Sequence, residues 1–335
     1  ANYAISKKMT PGIQVVVARK GKVIYQKSFG NHTYESNQKV SNTDVYDIAS
    51  LTKIVATLPN VMKEFDQGHL TLETKLKSML PAAKNSNKAN ATVLDMLTHQ
   101  ARFQPWIPFY KATLDSLNRP STHYYRSEFS TEFPIHVADK LYLRKDYNDS
   151  IVKTILDSEL LPKKQYKYSD FTFILFKEYL EMHNKKSLED LAHTNFFEPL
   201  GANSIMYNPL RKMNANRVIP TENDNYFRHQ VVQGYVHDMA AAMQGGISGH
   251  AGLFANALDV AKVMQMYLQK GTYGGRTYIT ENTFNMFNTC YFCKDGNRRG
   301  VGFDKPQLGN EGPTCGCVSL TSFGHTGFTG TMTWA

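Results

Sequence analysis

The sequence predicts a mixed α/β protein, and three features carry that expectation. Two β-rich runs near the N terminus are split by a turn, an apolar amphipathic helix follows them, and a strand of small residues lies near the C terminus. Helical patterns alternating with polar loops fill the middle.

In chain order, GIQVVVAR and KVIYQKSFG flank a KGK turn at Gly21, so residues 12–30 read as a hairpin. A polar stretch leads to a helix that begins near Ser50. Leu51, Ile54, Val55, Leu58, Val61, Met62 and Phe65 recur at helical spacing. Pro59 falls inside that pattern and is expected to kink or break it, because proline has no N–H for the preceding turn. Gly68 stands where a helix stop is expected. ATVLDMLTHQ, NDSIVKTILDSEL, FTFILFKEYLEMH and SLEDLAHTNFFEPLG then read as helices, with Ser187 as a helix start. Residues 102–147 are irregular and rich in rings (Phe103, Trp106, Phe109, Tyr110, Tyr124, Tyr125), which suits a binding wall or simple packing. A Gly-rich turn at 245–252 introduces another amphipathic helix. The final FGHTGFTGTMTW reads as a strand whose glycines allow close approach to its backbone.

The 335 residues, 41% hydrophobic, are enough for one large domain or two. A net charge of +9 favours anionic partners, yet no dense Lys/Arg run supports nucleic-acid binding. No apolar run approaches the roughly 20 residues that span a bilayer. No signal peptide precedes Ala1, and both ends read as cut ends.

The chemistry starts at Ser50-Leu51-Thr52-Lys53. Serine and lysine at i and i+3 share one helix face, one turn apart. Alone this is weak, since serine caps helices and lysine occurs anywhere. Two further motifs give it weight: Tyr168-Ser169-Asp170 ahead of a middle helix, and His325-Thr326-Gly327 on the last strand.

S-x-x-K, Y-x-D and H-T-G in this order resemble the penicillin-recognising serine hydrolases, which include class C β-lactamases, DD-peptidases, esterases and amidases. The opening hairpin, YDIASLTKIVAT, DMLTHQARF and GHAGLFANALDVAKV are similar to that family too, so the resemblance spans essentially the whole chain. It implies a β-lactamase/transpeptidase-like fold. Residues 1–75 and 241–335 would form an antiparallel sheet flanked by helices, residues 76–240 a mainly helical region, and the cleft would lie between them. In the family the H-T-G strand is followed by further strand and a helix. Their apparent absence here implies an exposed sheet edge and an apolar groove.

Roles follow position by position. Ser50 would be the nucleophile and Lys53 its proton partner, with Tyr168 relaying a proton to the leaving group. Asp170 stands where the family has Asn; it could pair with Lys53, keep it charged and shift the base role toward Tyr168. The amides of Ser50 and Phe328 would form the oxyanion hole, and Thr326 and Gly327 a wall along which substrate lies. His325 replaces the lysine of lactamases, and a neutral imidazole weakens the case for a carboxylate-bearing substrate. His99 is expected to satisfy backbone groups beside the site, Glu222 and His237-Asp238 to order a loop, and His250 to brace the Gly-rich turn.

PTENDNYF and GYVHD are similar to a branch found beside, or fused to, family-3 N-acetylglucosaminidases. That implies a muropeptide amide as substrate, with an ester or a D-Ala-D-Ala terminus (and weak β-lactam hydrolysis) as alternatives, and a catalytically silent binding domain as the rival. The implied location is the bacterial periplasm or cell surface. No cofactor is expected for catalysis. Cys290 and Cys293 (C-x-x-C) with Cys315 and Cys317 (C-x-C) suit either a structural zinc or disulfides.

Overall fold

The computed structural model describes residues 1–309, 312–314, 316 and 318–335. The hairpin forms as expected: β1 (Gly12–Arg19) pairs antiparallel with β2 (Lys22–Gly30). Lys20 and Gly21, both at positive φ, make the turn. Val23, Ile24 and Tyr25 of β2 are exposed.

The helical rod after Ser50 is not uniform. Residues Lys53–Thr57 form a π-helical turn, and an α-helix continues over Leu58–Asp66 with Pro59 in its first turn. This is the break that Pro59 imposes. Having no N–H, Pro59 leaves a carbonyl of the preceding turn without a backbone donor, and the Tyr267 hydroxyl donates to Ile54 O at 2.8 Å instead. Asn60 Nδ2 donates to Ala56 O, and Thr57 Oγ1 to Gly249 O. Residues 51–62 of the rod are all buried, which explains why its apolar stripe is so wide.

Its main partner is the helix Phe171–Asn184, whose residues from Phe171 to Lys177 are all buried. The strand Leu253–Ala255 lies between Tyr46–Asp47 and Met206–Tyr207 and leads directly into the helix Ala257–Leu268. The Asn256 side chain caps that helix, and the Ser187 side chain caps Leu188–Ala192. The last hairpin pairs Gly324–Gly327 with Thr331–Trp334.

Two expectations need refinement. The first and last hairpins are separate ladders among the described residues, not one hydrogen-bonded sheet. They share a layer because both rest on the Ala257–Leu268 helix. The aromatic stretch after Arg102 is less irregular than its composition suggests. It contains a three-stranded antiparallel sheet of Tyr125–Arg126, Leu141–Leu143 and Ile135–Ala138.

Cys290 and Cys293 are joined by a disulfide, so this pair is not a zinc half-site as found here. Cys315 and Cys317 lie outside the described residues.

Candidate active site

Ser50 sits at the mouth of the buried rod, directly after Ala49, which holds a left-handed φ of 45°. A non-glycine residue there is strained, and the surroundings hold it. Asp47, buried, accepts from Ala49 N at 2.8 Å and from His237 N at 2.6 Å. Ile48 N donates to Leu253 O at 3.0 Å. The sharp approach to Ser50 is thus fixed by a buried carboxylate and a strand.

Lys53 is fully buried. Its Nζ lies 2.9 Å from Ser50 Oγ, 2.7 Å from Asp170 Oδ1 and 3.1 Å from His250 O. The rings of Tyr168 and Phe173 flank it at 5.1 and 5.7 Å. Burial alone pushes the ammonium toward losing its proton, but the Asp170 charge and Tyr168 outweigh that, and its pKa ends above the usual lysine value. Lys53 is therefore a cation at neutral pH. The Tyr168 hydroxyl lies beside Lys53 and Ser50, and desolvation holds it above the usual phenol value despite the ammonium. The arrangement is a neutral phenol between a hydroxyl and an ammonium.

The last hairpin is pinned to the approach segment. Thr329 Oγ1 donates to Asp47 O at 2.7 Å and Thr331 Oγ1 to Ile48 O at 3.1 Å. A Cβ on Gly327 would lie 2.7 Å from Ile48 O, so only glycine permits this approach. Phe328 follows, exposed, its ring 5.1 Å from that of His237. Among the described residues, neither the Ser50 nor the Phe328 amide donates to a protein carbonyl. Two free N–H groups beside one hydroxyl can bind a developing oxyanion.

His325 is buried. Its Nδ1 donates to Thr326 O at 2.7 Å, which leaves Nε2 as an acceptor without a protein partner. Burial, reinforced by the Arg299 and Lys53 cations against the pull of Asp304, brings its pKa down to about 4. The imidazole is neutral at pH 7, as its replacement of lysine implies. The unfolded chain, with its histidine near 6.5, therefore binds more protons between pH about 6.5 and about 4. Stability is lost as pH falls through that window, by up to about 3 kcal/mol at about 1.4 kcal/mol per pKa unit. His99, depressed by burial in the same sense, adds to the slope. Thermal melts at pH 7 and pH 5 are expected to show this fall. In His325→Gln it becomes shallower; an equal fall in both proteins would rule this origin out.

Several partners escape sequence reasoning. Arg299 is buried, paired with Asp304, and stacked 5.7 Å from the Tyr168 ring. Only its place in an otherwise ordinary NRRG run marks it in the sequence. His250 Nε2 meets Asp238 Oδ1 at 2.8 Å, and its Nδ1 meets Ser248 Oγ at 2.9 Å. His250 thus braces the Gly-rich turn and also presents its carbonyl to Lys53. Asp238 belongs with His250 rather than with the neighbouring His237. His237 pairs with Glu222 at 3.2 Å, and Glu222 and Asp224 hold the buried Arg228. His99 accepts from Ser169 N at 3.2 Å, the structural role expected of it. Trp106, Phe109 and Tyr110 line a pocket with Asp170, Asp238 and His250, so this part of the aromatic stretch borders a pocket beside Asp170, the partner of Lys53.

The beta-lactamase family model matches residues 2–335. The chain belongs to the beta-lactamase family. It is a serine hydrolase of that family, whose mechanism runs through an acyl-enzyme. It is 28% identical over 354 residues to an N-acetylmuramyl-L-alanine amidase of Bacillus subtilis (strain 168), covering 96% of this chain and 74% of that protein. It is 26% identical over 351 residues to an Escherichia coli (strain K12) protein provisionally named D-alanyl-D-alanine carboxypeptidase, covering 96% and 75%. Among solved structures it is similar to an octameric penicillin-binding protein homologue from Pyrococcus abyssi (TM-score 0.68, 19% identity, 99% of this chain and 68% of that one). A class C beta lactamase from Rhodobacter sphaeroides gives a TM-score of 0.58 at 17% identity over 85% of this chain and 68% of its own. These two likenesses speak to the fold.

Proposed function

We propose that this hydrolase cleaves an amide in cell-wall-derived muropeptides, through an acyl-enzyme on Ser50. The observation that carries the choice of substrate is the neutral, buried His325 where carboxylate-binding relatives place a lysine. A site without that cation suits an acyl group joined to a peptide amine better than a terminal carboxylate. The amidase likeness supports the same reading.

The proposed chemistry uses the groups in their resting protonation states. Ser50 Oγ attacks the carbonyl carbon as its proton passes to Tyr168 Oη, and the phenolic proton passes to the leaving nitrogen. The C–N bond breaks and an ester to Ser50 remains. Water then retraces the path in reverse. Lys53, held charged by Asp170, stabilises the negative charge that gathers on the phenol oxygen during transfer. The amides of Ser50 and Phe328 take the oxyanion, each contributing about 3 kcal/mol. Thr326 and Gly327 bound the substrate's path. No step requires a cofactor. The Cys290–Cys293 disulfide supports an exported protein, at the periplasm or cell surface, and the likeness of PTENDNYF and GYVHD supports work beside a glycoside hydrolase in wall turnover.

A second reading, removal of a terminal D-Ala, draws on the Arg299 cation beside Tyr168 and on the carboxypeptidase likeness. Purified muropeptides separate the two. Release of an intact peptide with a free N-terminal amine, together with a Ser50-bound acyl mass, is the expected result. Release of D-Ala alone would favour the second reading. Absence of any Ser50 adduct across amides, short esters and a cephalosporin would leave a binding domain.

A further inference from the structure

A second cluster lies at the opposite end of the Ser50 rod. Glu64, fourteen residues on, is about 20 Å along the helix at 1.5 Å per residue. It is buried, at 3% exposure. Gly68, at φ 74°, turns the chain back, and His69 N closes on Glu64 O at 2.9 Å. This places His69 Nδ1 2.9 Å from Glu64 Oε2. From the end of the Phe171–Asn184 helix, His183 Nε2 comes within 3.4 Å of the same oxygen and 3.2 Å of His69 Nδ1.

Hydrogen bonding alone serves these three atoms badly. If both rings donate to Glu64, two N–H groups confront each other across 3.2 Å. If one ring donates, a single proton is shared among three ligand atoms. A cation among them satisfies all three lone pairs. Zinc with N and O ligands at about 2.0–2.1 Å in a tetrahedron sets its ligand atoms about 3.3 Å apart. The observed edges of 2.9, 3.4 and 3.2 Å match that spacing. The outer partners also fit. Asn184 Nδ2 donates to Glu64 Oε1 at 2.9 Å, and the Tyr179 ring stacks on His183. Such contacts orient metal ligands and fix their direction. The two imidazoles are partly exposed, at 44% and 38%, so an ion has an entry path and a solvent-facing fourth position.

We infer that Glu64, His69 and His183 form a site for a divalent transition metal of the zinc class, which ties the far end of the Ser50 rod to the far end of the Phe171–Asn184 helix. Its role is structural: these two helices position Ser50, Lys53 and Tyr168 at their other ends. It does not depend on the acyl-transfer reading, because ion uptake is measured without substrate.

The test uses the whole protein, stripped of metal by a chelator and titrated with Zn(II) in a calorimeter. One equivalent should bind, the thermal midpoint should rise, and Co(II) should give the visible spectrum of a four-coordinate ion. His69→Ala and His183→Ala, both at partly exposed positions, should each weaken Zn(II) binding by at least about 100-fold, since an outer-shell loss alone costs about 10–100-fold. No uptake by the wild-type protein would overturn the inference. So would undiminished uptake in the double variant, which would put the ion elsewhere, for instance at Asp170, Asp238 and His250.

Discussion

Ser50→Ala protein is expected to lose muropeptide cleavage by about 10⁶-fold and to form no covalent adduct. The hydroxyl is half-buried and hydrogen-bonded only within the site, so its removal leaves the fold intact. What remains is binding in the cleft and the two free amides, which cannot supply an acyl acceptor. Unchanged thermal stability with lost turnover is the expected pair of readings. Turnover surviving the substitution would remove Ser50 from the mechanism and return the chain to the binding-domain reading.

Lys53→Met should be damaging to a lesser degree, lowering kcat/KM by about 10³–10⁴-fold. Methionine fills the buried volume but removes the positive charge beside Tyr168 and Ser50, and it leaves Asp170 unpaired. Tyr168→Phe placed on that background should cost little more, because the phenol and ammonium act on one proton path and their effects do not add. Asp170→Asn is the sharper probe. Without the carboxylate, burial draws the lysine pKa down. If the charged lysine is what assists transfer, the alkaline limb of kcat/KM moves to lower pH. An unmoved limb would mean that Lys53 does not act as a cation.

The site was legible where function demands a residue type at a fixed spacing along one element. Ser50 and Lys53 are one helical turn apart, and His325 to Gly327 run along one strand; local periodicity exposes both. What escaped was assembled across the fold. Arg299 is an ordinary arginine until Asp304 and the Tyr168 ring surround it. Asp238 reads as the partner of adjacent His237, but the cap it forms on the helix Met239–Met243 turns it toward His250 instead. Glu64 is in the last turn of one helix, His69 follows that turn and His183 is in the last turn of another helix, the two histidines 114 residues apart, with no motif to announce them. The fold followed the same rule. Pro59 signalled a break, but that the break takes the form of a π-helical turn depends on Tyr267, which lies far along the chain. The sheet between Tyr125 and Leu143 was hidden because its strands are short and its rings read equally well as loop packing.

The attachment of the last hairpin joins two segments 282 residues apart in sequence. Thr329, Thr331 and Gly327 fasten the turn bearing Phe328 to residues 47–49, the same segment that delivers Ser50. The Ser50 and Phe328 amides and the Ser50 hydroxyl are therefore carried on directly bonded segments, as the proposed chemistry requires. Residues 106–110 line the pocket from a different part of the chain, so substitutions there are expected to change what enters without disturbing this attachment.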